Sequence, residues 1–397
     1  MLTFDWLILS FIGWNIYLSL KRVNGINLIL LTTAFSTIVG LLLIADELDN
    51  KIHFYISFYA LGIAVVCAFF LNRHDNLDRD ISLVYNSRQR HILTFTLLFF
   101  CALHYFRLGI PFFSGDIDEL RFKPGSSGLF GIPSRVALFS PLVFTAFYLF
   151  GKHIGISNLY RYLYLALAIV LYLFQGHKSA VLNVVIFILT TFPLLKFQSR
   201  KKLIKVAGVL LLVAVLFAYL AYLRMPSVEG FEMGEYLLAR FSSISFQPTV
   251  AIFEETESLK RALLFRSPFF NDISYFLLKS LGLNVHTFNS ILSFSIYNVD
   301  VGDFTVPVTP ILPAYFIFDF GYVASLFIAL IFVYLFKKYY QIISYSTSFS
   351  TLLLKLIFGY SFFLGINSGN LFYAFISPIP FYLVLIIIDF VSRIRLK

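Results

Sequence analysis

Eleven runs of roughly 20 apolar residues follow one another along this chain, and a run of that length crosses a bilayer as a helix. They lie at about 3–20, 26–45, 53–71, 91–109, 133–151, 158–175, 179–198, 203–223, 311–335, 350–368 and 371–391. No other feature constrains the fold as strongly: the chain is expected to be an all-α polytopic integral membrane protein. Composition agrees, with 59% hydrophobic and only 13% charged residues, where soluble domains carry about a quarter charged. Residues 1–397 read as a single membrane domain. The first run has neither a basic n-region nor a small-residue cleavage site, so it reads as a span and not a signal peptide. Cys67 and Cys101 both fall inside apolar runs, which speaks against a disulfide or a metal-ligand pair.

Charge sets the expected orientation. Lys21–Arg22, then Arg73, Arg79, Arg88 and Arg90, then Lys152, then Lys196 to Lys205, then Lys337–Lys338 and the Arg393–Lys397 tail place basic residues in every second connection. Cytoplasmic connections carry such an excess, giving an N-out, C-in arrangement with 19 of the 31 Lys/Arg inside and 12 outside. The formal net charge of +10 is then a topology signal, and nucleic acid is not an expected partner. No cytoplasmic connection has room for a nucleotide-binding domain. Gly176-His177-Lys178-Ser179 echoes the end of a phosphate loop but lacks its upstream Gly.

Two long connections share the external face, 110–132 and 224–310. The second is the largest element outside the apolar runs and holds six Lys/Arg and nine Asp/Glu. Ser267-Pro268, followed by Phe269, Phe270, Ile273, Phe276, Leu277 and Leu281 and closed by Gly282, predicts a helix with Pro in its first turn. Its apolar spacing suits a helix lying on the membrane surface. A second helix is expected over 232–257.

External basic residues run against the topology rule and therefore need a reason. They include Arg107, Arg121, Lys123, Arg135, Lys178, Arg224, Arg240, Lys260, Arg261, Arg266 and Lys279. Guanidinium groups hold phosphate bidentately and Lys acts as a point charge. Such a cluster suits a phosphorylated lipid head group, and equally the balancing of external carboxylates and lipid phosphates.

From Arg107 the chain reads Arg-Leu-Gly-Ile-Pro-Phe-Phe-Ser-Gly-Asp-Ile-Asp-Glu-Leu-Arg-Phe-Lys-Pro-Gly-Ser-Ser-Gly. This stretch, with Gln175-Gly176-His177-Lys178-Ser179 and with Thr309-Pro310 leading to Asp319-Phe320-Gly321-Tyr322, resembles the Wzy-type O-antigen (oligosaccharide repeat-unit) polymerases. The chain departs from an Arg-x10-Gly pattern of some members, because Arg121 to Gly131 is one residue short.

The resemblance implies a GT-C-like architecture in a bacterial inner membrane, with a glycosyltransferase site facing the periplasm and no cofactor. Undecaprenyl-diphosphate-linked oligosaccharide would be both donor and acceptor, within membrane lipid and alongside a chain-length regulator. Fixed cations would stabilise the departing diphosphate, with Arg121, Lys178 and Arg240 in that role. Arg107, Lys123, His177, Arg224, Arg266 and His286 would bind substrate. The base for the acceptor hydroxyl stays open among Glu235, His286, Asp303 and Asp319. Asp116-Ile117-Asp118 has the form of a metal-holding Asp-x-Asp, but its basic neighbours favour an ion-paired loop, and no metal is expected. Phe112, Phe113, Tyr275 and Tyr297 are candidates to stack on sugars. Three other readings stay open: an O-antigen ligase, a lipid-linked oligosaccharide flippase, and a polyprenyl-phosphate-dependent transferase using Asp46, Glu47 or Asp49 of the first external loop.

Overall fold

The computed structural model describes residues 2–22, 24–44, 48–69, 85–110, 131–175, 187–188, 191, 243–264, 266–281, 283, 285–297, 310–343, 348–369, 375–376 and 378–393. Their regular structure is helical: α1 Leu2–Lys21, α2 Gly25–Leu43, α3 Asn50–Phe69, α4 Ser87–Leu108, α5 Gly131–Phe150 and α6 Asn158–Phe174 form the first part. Next come α7 Ser243–Glu254, α8 Thr256–Ala262, α9 Pro268–Ser280 and α10 Phe288–Tyr297, and then α11 Leu312–Tyr315, α12 Ile317–Ile343, α13 Phe349–Ser368 and α14 Ile379–Arg393. Among the described residues six helices are long and apolar enough to cross a membrane: Gly25–Leu43, Asn50–Phe69, Ser87–Leu108, Ile132–Ile154, Ile317–Tyr340 and Phe349–Asn367. The protein is an all-α, multi-pass membrane protein. The first expected span is the 20-residue α1, while the sixth and eleventh are the shorter α6 and α14. Nearly all of the seventh and the whole of the eighth lie outside the described residues.

Local chemistry explains several helix ends. The Asn24 side chain accepts the Asn27 N–H at 3.0 Å at the start of α2, and Asn86 accepts the Arg88 N–H at 2.9 Å at the start of α4. Ser348 opens α13 by accepting the Thr351 N–H at 3.2 Å. Each side chain satisfies one of the orphan donors of a first turn.

The helices pack as two groups. α1, α2 and α3 pack together and α3 adjoins α12: Gly62 of α3 lies so close to Leu330 of α12 that a Cβ there would meet its methyl groups at 2.6 Å. α4, α5 and α6 adjoin α13 and α14. Gln89 of α4 donates to Ser350 at 2.9 Å and to Asp389 at 2.8 Å, joining three helices through one buried amide. The groups meet where Phe336 of α12 packs on Phe362 and Phe363 of α13.

The expected single span at 311–335 needs correction. Gly321 has φ 74° and ψ 179°, which breaks α12 four residues after it starts. The Phe316 ring stacks on Phe332 with centroids 5.4 Å apart. Sixteen residues of continuous helix would separate them by about 24 Å along the axis. The stretch before Gly321 therefore doubles back along the stretch after it, giving a hairpin whose apex holds Asp319 and Tyr322. From Tyr322 to Ile343 the helix is still about 33 Å long, enough to span. Lys337 and Lys338, expected in a connection, belong to this helix. The far end of the short arm is equally constrained: a Cβ on Gly369 (φ 58°) would lie 2.2 Å from the Pro310 carbonyl oxygen.

Candidate functional site

The described part of the long connection, residues 243–297, folds onto this hairpin. The helix expected after Ser267-Pro268 is present as α9. Of the helix expected over 232–257, the described part is α7, which ends at Glu254, with a separate short α8 after Glu255. Phe270 and Leu277 of α9, and Leu281 just past its end, are 59%, 62% and 75% exposed. At 100° per residue they fall within about 40° of one another and opposite Asp272. That apolar face suits the membrane boundary, while the opposite face turns to the protein.

Asp272 shows what holds α9 in place. It is 1% exposed, accepts the Phe288 N–H at 2.7 Å at the start of α10 and accepts the Tyr315 hydroxyl at 3.0 Å. Burial pushes its carboxyl from 3.8 up to about 6, against the opposing effect of those hydrogen bonds. A negative charge at a helix N-terminus is favourable, and the Phe288 ring closes the contact edge-on against Tyr315 and Phe318. Next to it Ser267 donates to Asp319 at 3.1 Å, and the Lys260 ammonium acts on the same carboxylate. Arg266 precedes Ser267 with φ 55°. A left-handed non-glycine residue costs of order 1–3 kcal/mol and clusters at functional sites.

Beside this junction an open cleft of about 400 Å³ separates α3, α7 and the hairpin apex, lined by Asp49, Lys51, Ile52, Tyr55, Phe253, Glu254 and Tyr322. Three rings form one wall. Phe253 and Tyr322 stack at 5.0 Å and 27°, and Tyr55 meets the Phe253 ring edge-on at 5.0 Å. Ser325 gives its proton to the Tyr322 carbonyl at 2.7 Å, so Tyr55 is the donor in its 2.5 Å contact with Ser325. Asp49 and Glu254 are both exposed. Asp49 uses one oxygen to accept the Lys51 N–H at 2.6 Å, capping α3. The cleft can thus offer an aromatic surface, two carboxylates and one ammonium to a ligand.

Under the cleft, Asp5, His53 and Ser57 are buried together. His53 Nε2 lies 2.6 Å from Asp5 Oδ2, and the Ser57 hydroxyl donates to Asp5 Oδ1 at 2.7 Å. This cluster ties α1 to α3 at the level of the residues that α3 gives to the cleft, His53 lying between Ile52 and Tyr55.

Of the residues expected at the site, the structure gathers Arg266, Asp319 and His286 around the first half of α9. The half-buried His286 presents its carbonyl to Asn271 at 2.8 Å. Arg107 is exposed in the last turn of α4. Tyr275, expected to stack on sugar, lies half-buried on α9, its hydroxyl raised by burial, lowered by Arg135 and raised by Asp272. Arg121, Lys123, His177, Lys178, Arg224, Glu235, Arg240 and Asp303 lie outside the described residues, as do Asp116 and Asp118. Among the described residues no three His, Cys, Asp or Glu side chains gather where they could hold a metal ion.

Sequence reasoning did not single out Glu254, Phe253 or the Asp5 cluster as site candidates, and Tyr322 entered only in the stretch that carries the resemblance. Asp5, one acidic residue inside an apolar run, was the available signal, since an ionisable group in such a segment is functional or paired by default. No protein-family profile, curated protein or solved structure matches this chain.

Proposed function

We propose that this protein is a polysaccharide polymerase of the bacterial inner membrane. It transfers an undecaprenyl-diphosphate-linked glycan onto the non-reducing end of a second lipid-linked repeat unit at the periplasmic face. The carrying observation is the cleft: the folded part of the long connection, the connection between the second and third apolar runs and the hairpin apex converge on one open space lined by carboxylates and stacked rings. That space is at the end of the bundle opposite Lys21, Arg88, Arg90 and Lys152, which is the external end under the positive-inside rule. Glycosyl transfer needs a base near the acceptor hydroxyl and cations near the departing diphosphate. Glu254 and Asp49 join Asp319 as candidates for the first role. Arg121, Lys178 and Arg240 remain the candidates for the second.

A second reading is favoured by Asp49, a carboxylate of the expected first external loop that lines the cleft: a glycosyltransferase that draws single sugars from a polyprenyl-monophosphate carrier. One experiment separates the two. Purified protein in nanodiscs is given lipid-diphosphate-linked repeat units without nucleotide sugar or ATP, and products are resolved by size. A ladder of repeats supports polymerisation. Growth only when a polyprenyl-phosphate monosaccharide is added selects the second reading, and a requirement for nucleotide sugar or ATP sinks both.

A further inference from the structure

We propose that the cleft is a sugar subsite for the acceptor, binding the terminal pyranose of the glycan through ring stacking and keeping out the diphosphate of either lipid carrier. The assignment of that sugar to an acceptor rests on the polymerase reading; the binding chemistry rests on the cleft itself.

Three features carry it. The first is the wall of rings. The carbon-bound hydrogens of a pyranose face are weakly positive and meet the negative face of an aromatic ring favourably. Tyr322 is 48% exposed yet its ring is fixed, stacking on Phe253 and meeting Tyr55 edge-on at 6.4 Å, while Ser325 anchors its backbone carbonyl. A platform fixed before binding loses little freedom when the sugar arrives.

The second is size. About 400 Å³ is at the small end of the roughly 300–1,000 Å³ range of small-molecule sites, which suits a terminal ring better than a polyprenyl chain.

The third is charge. Asp49 and Glu254 face the cleft with Lys51 as the one cation among its lining residues. Hydroxyl groups donate to carboxylates, while a diphosphate is repelled by them. The cations Lys260, Arg261 and Arg266 belong to α8 and the turn after it, not to the lining. Acceptor sugar and donor diphosphate are thereby assigned to separate places, as a transfer between two lipid-linked substrates requires. Glu254 has no hydrogen-bond or ion-pair partner among the described residues, and at the rim of the ring wall it is the group placed to take the acceptor proton.

The test uses the full-length protein in nanodiscs and the neutral repeat-unit oligosaccharide freed from its lipid carrier. Saturation-transfer NMR reads which sugar protons touch protein, and inorganic pyrophosphate serves as competitor. The terminal pyranose is expected to receive saturation, and Tyr322→Leu to weaken binding about tenfold. Tyr322→Trp should retain binding, and Glu254→Gln should bind while failing to elongate. Pyrophosphate should not displace the sugar. Thermal unfolding matched to wild type certifies each variant. Unchanged binding in Tyr322→Leu, or displacement by pyrophosphate, overturns the subsite. Elongation of lipid-linked units is measured on the same preparations. Elongation without saturation of the sugar removes the subsite and leaves the polymerase; saturation without elongation removes the polymerase and leaves a sugar-binding cleft.

Discussion

Asp272 and Glu254 come from the same stretch of chain, within two helical elements of each other, and the fold treats them oppositely. Asp272 is sealed between α9, α10 and the hairpin, with both oxygens occupied by protein donors. Glu254 ends α7 at the edge of an open cleft, beside exposed aromatic surface. A buried acid whose oxygens are all used serves to fix the elements that use them, because removing any partner leaves a desolvated group behind. An exposed acid with lone pairs to spare is available to a ligand. The two acids thus separate a group that holds the long connection in place from one that the connection leaves open to a ligand.

The largest expected effect tests the open acid. Glu254→Gln should lower repeat-unit elongation by about 10²–10⁴-fold, the usual contribution of a positioned base, with thermal stability unchanged; Asp272→Asn, at matched protein level, should elongate close to wild type. Comparable losses in both would erase the distinction. On the donor side, Arg121→Ala should cost roughly 10²–10³ in rate and leave mostly one-repeat product. Arg121→Lys should restore chain length only in part, because an ammonium cannot reproduce the guanidinium fork. Wild-type chain lengths in the alanine variant would remove Arg121 from the site.

Stability effects follow. Asp5→Ala strands the buried His53 and Ser57 side chains and should destabilise the bundle by roughly 2–5 kcal/mol, read as a lower unfolding temperature in detergent. A loss of activity without that shift would move the cluster from structure to chemistry. Gly321→Ala meets no atom within 4 Å of the added carbon, so its cost is the backbone conformation alone, about 1–3 kcal/mol. A silent Gly321→Ala would argue against the fold-back.

The smallest effect concerns Asp272 and pH. Its folded-state carboxyl titrates at about 6 and not 3.8, so folding favours its protonated form. Its contribution to stability is greatest below about pH 4, declines as pH rises through 6, and is constant above. Asp272→Asn should change stability at pH 7 by less than about 1 kcal/mol and flatten that decline. A wild-type curve that rises with pH across the window, and is unaltered by the substitution, would contradict the buried-acid description.

What the sequence by itself determined was local. Twenty-residue apolar runs have one stable backbone solution in lipid, a helix that satisfies its own hydrogen bonds, so α2, α3, α4, α5 and α13 were legible as elements. So was α9, from Pro268 in its first turn and apolar residues every three or four positions. Alternating basic connections gave an expected orientation, which fusion reporters test. Tertiary structure decided the rest, because the remaining features depend on pairs far apart in the chain. One apolar run cannot reveal that Phe316 stacks on Phe332; hydrophobicity has the same value on both sides of a fold-back, and only the positive φ at Gly321 marks it. Asp5 finds His53 across 48 residues, and Phe253 finds Tyr322 across the whole of α8 to α11. The cations expected on the external face stood out in the sequence because they break a charge rule. The rings and acids of the cleft break none, so they become a site only where the fold brings α3, α7 and the hairpin apex to the same place.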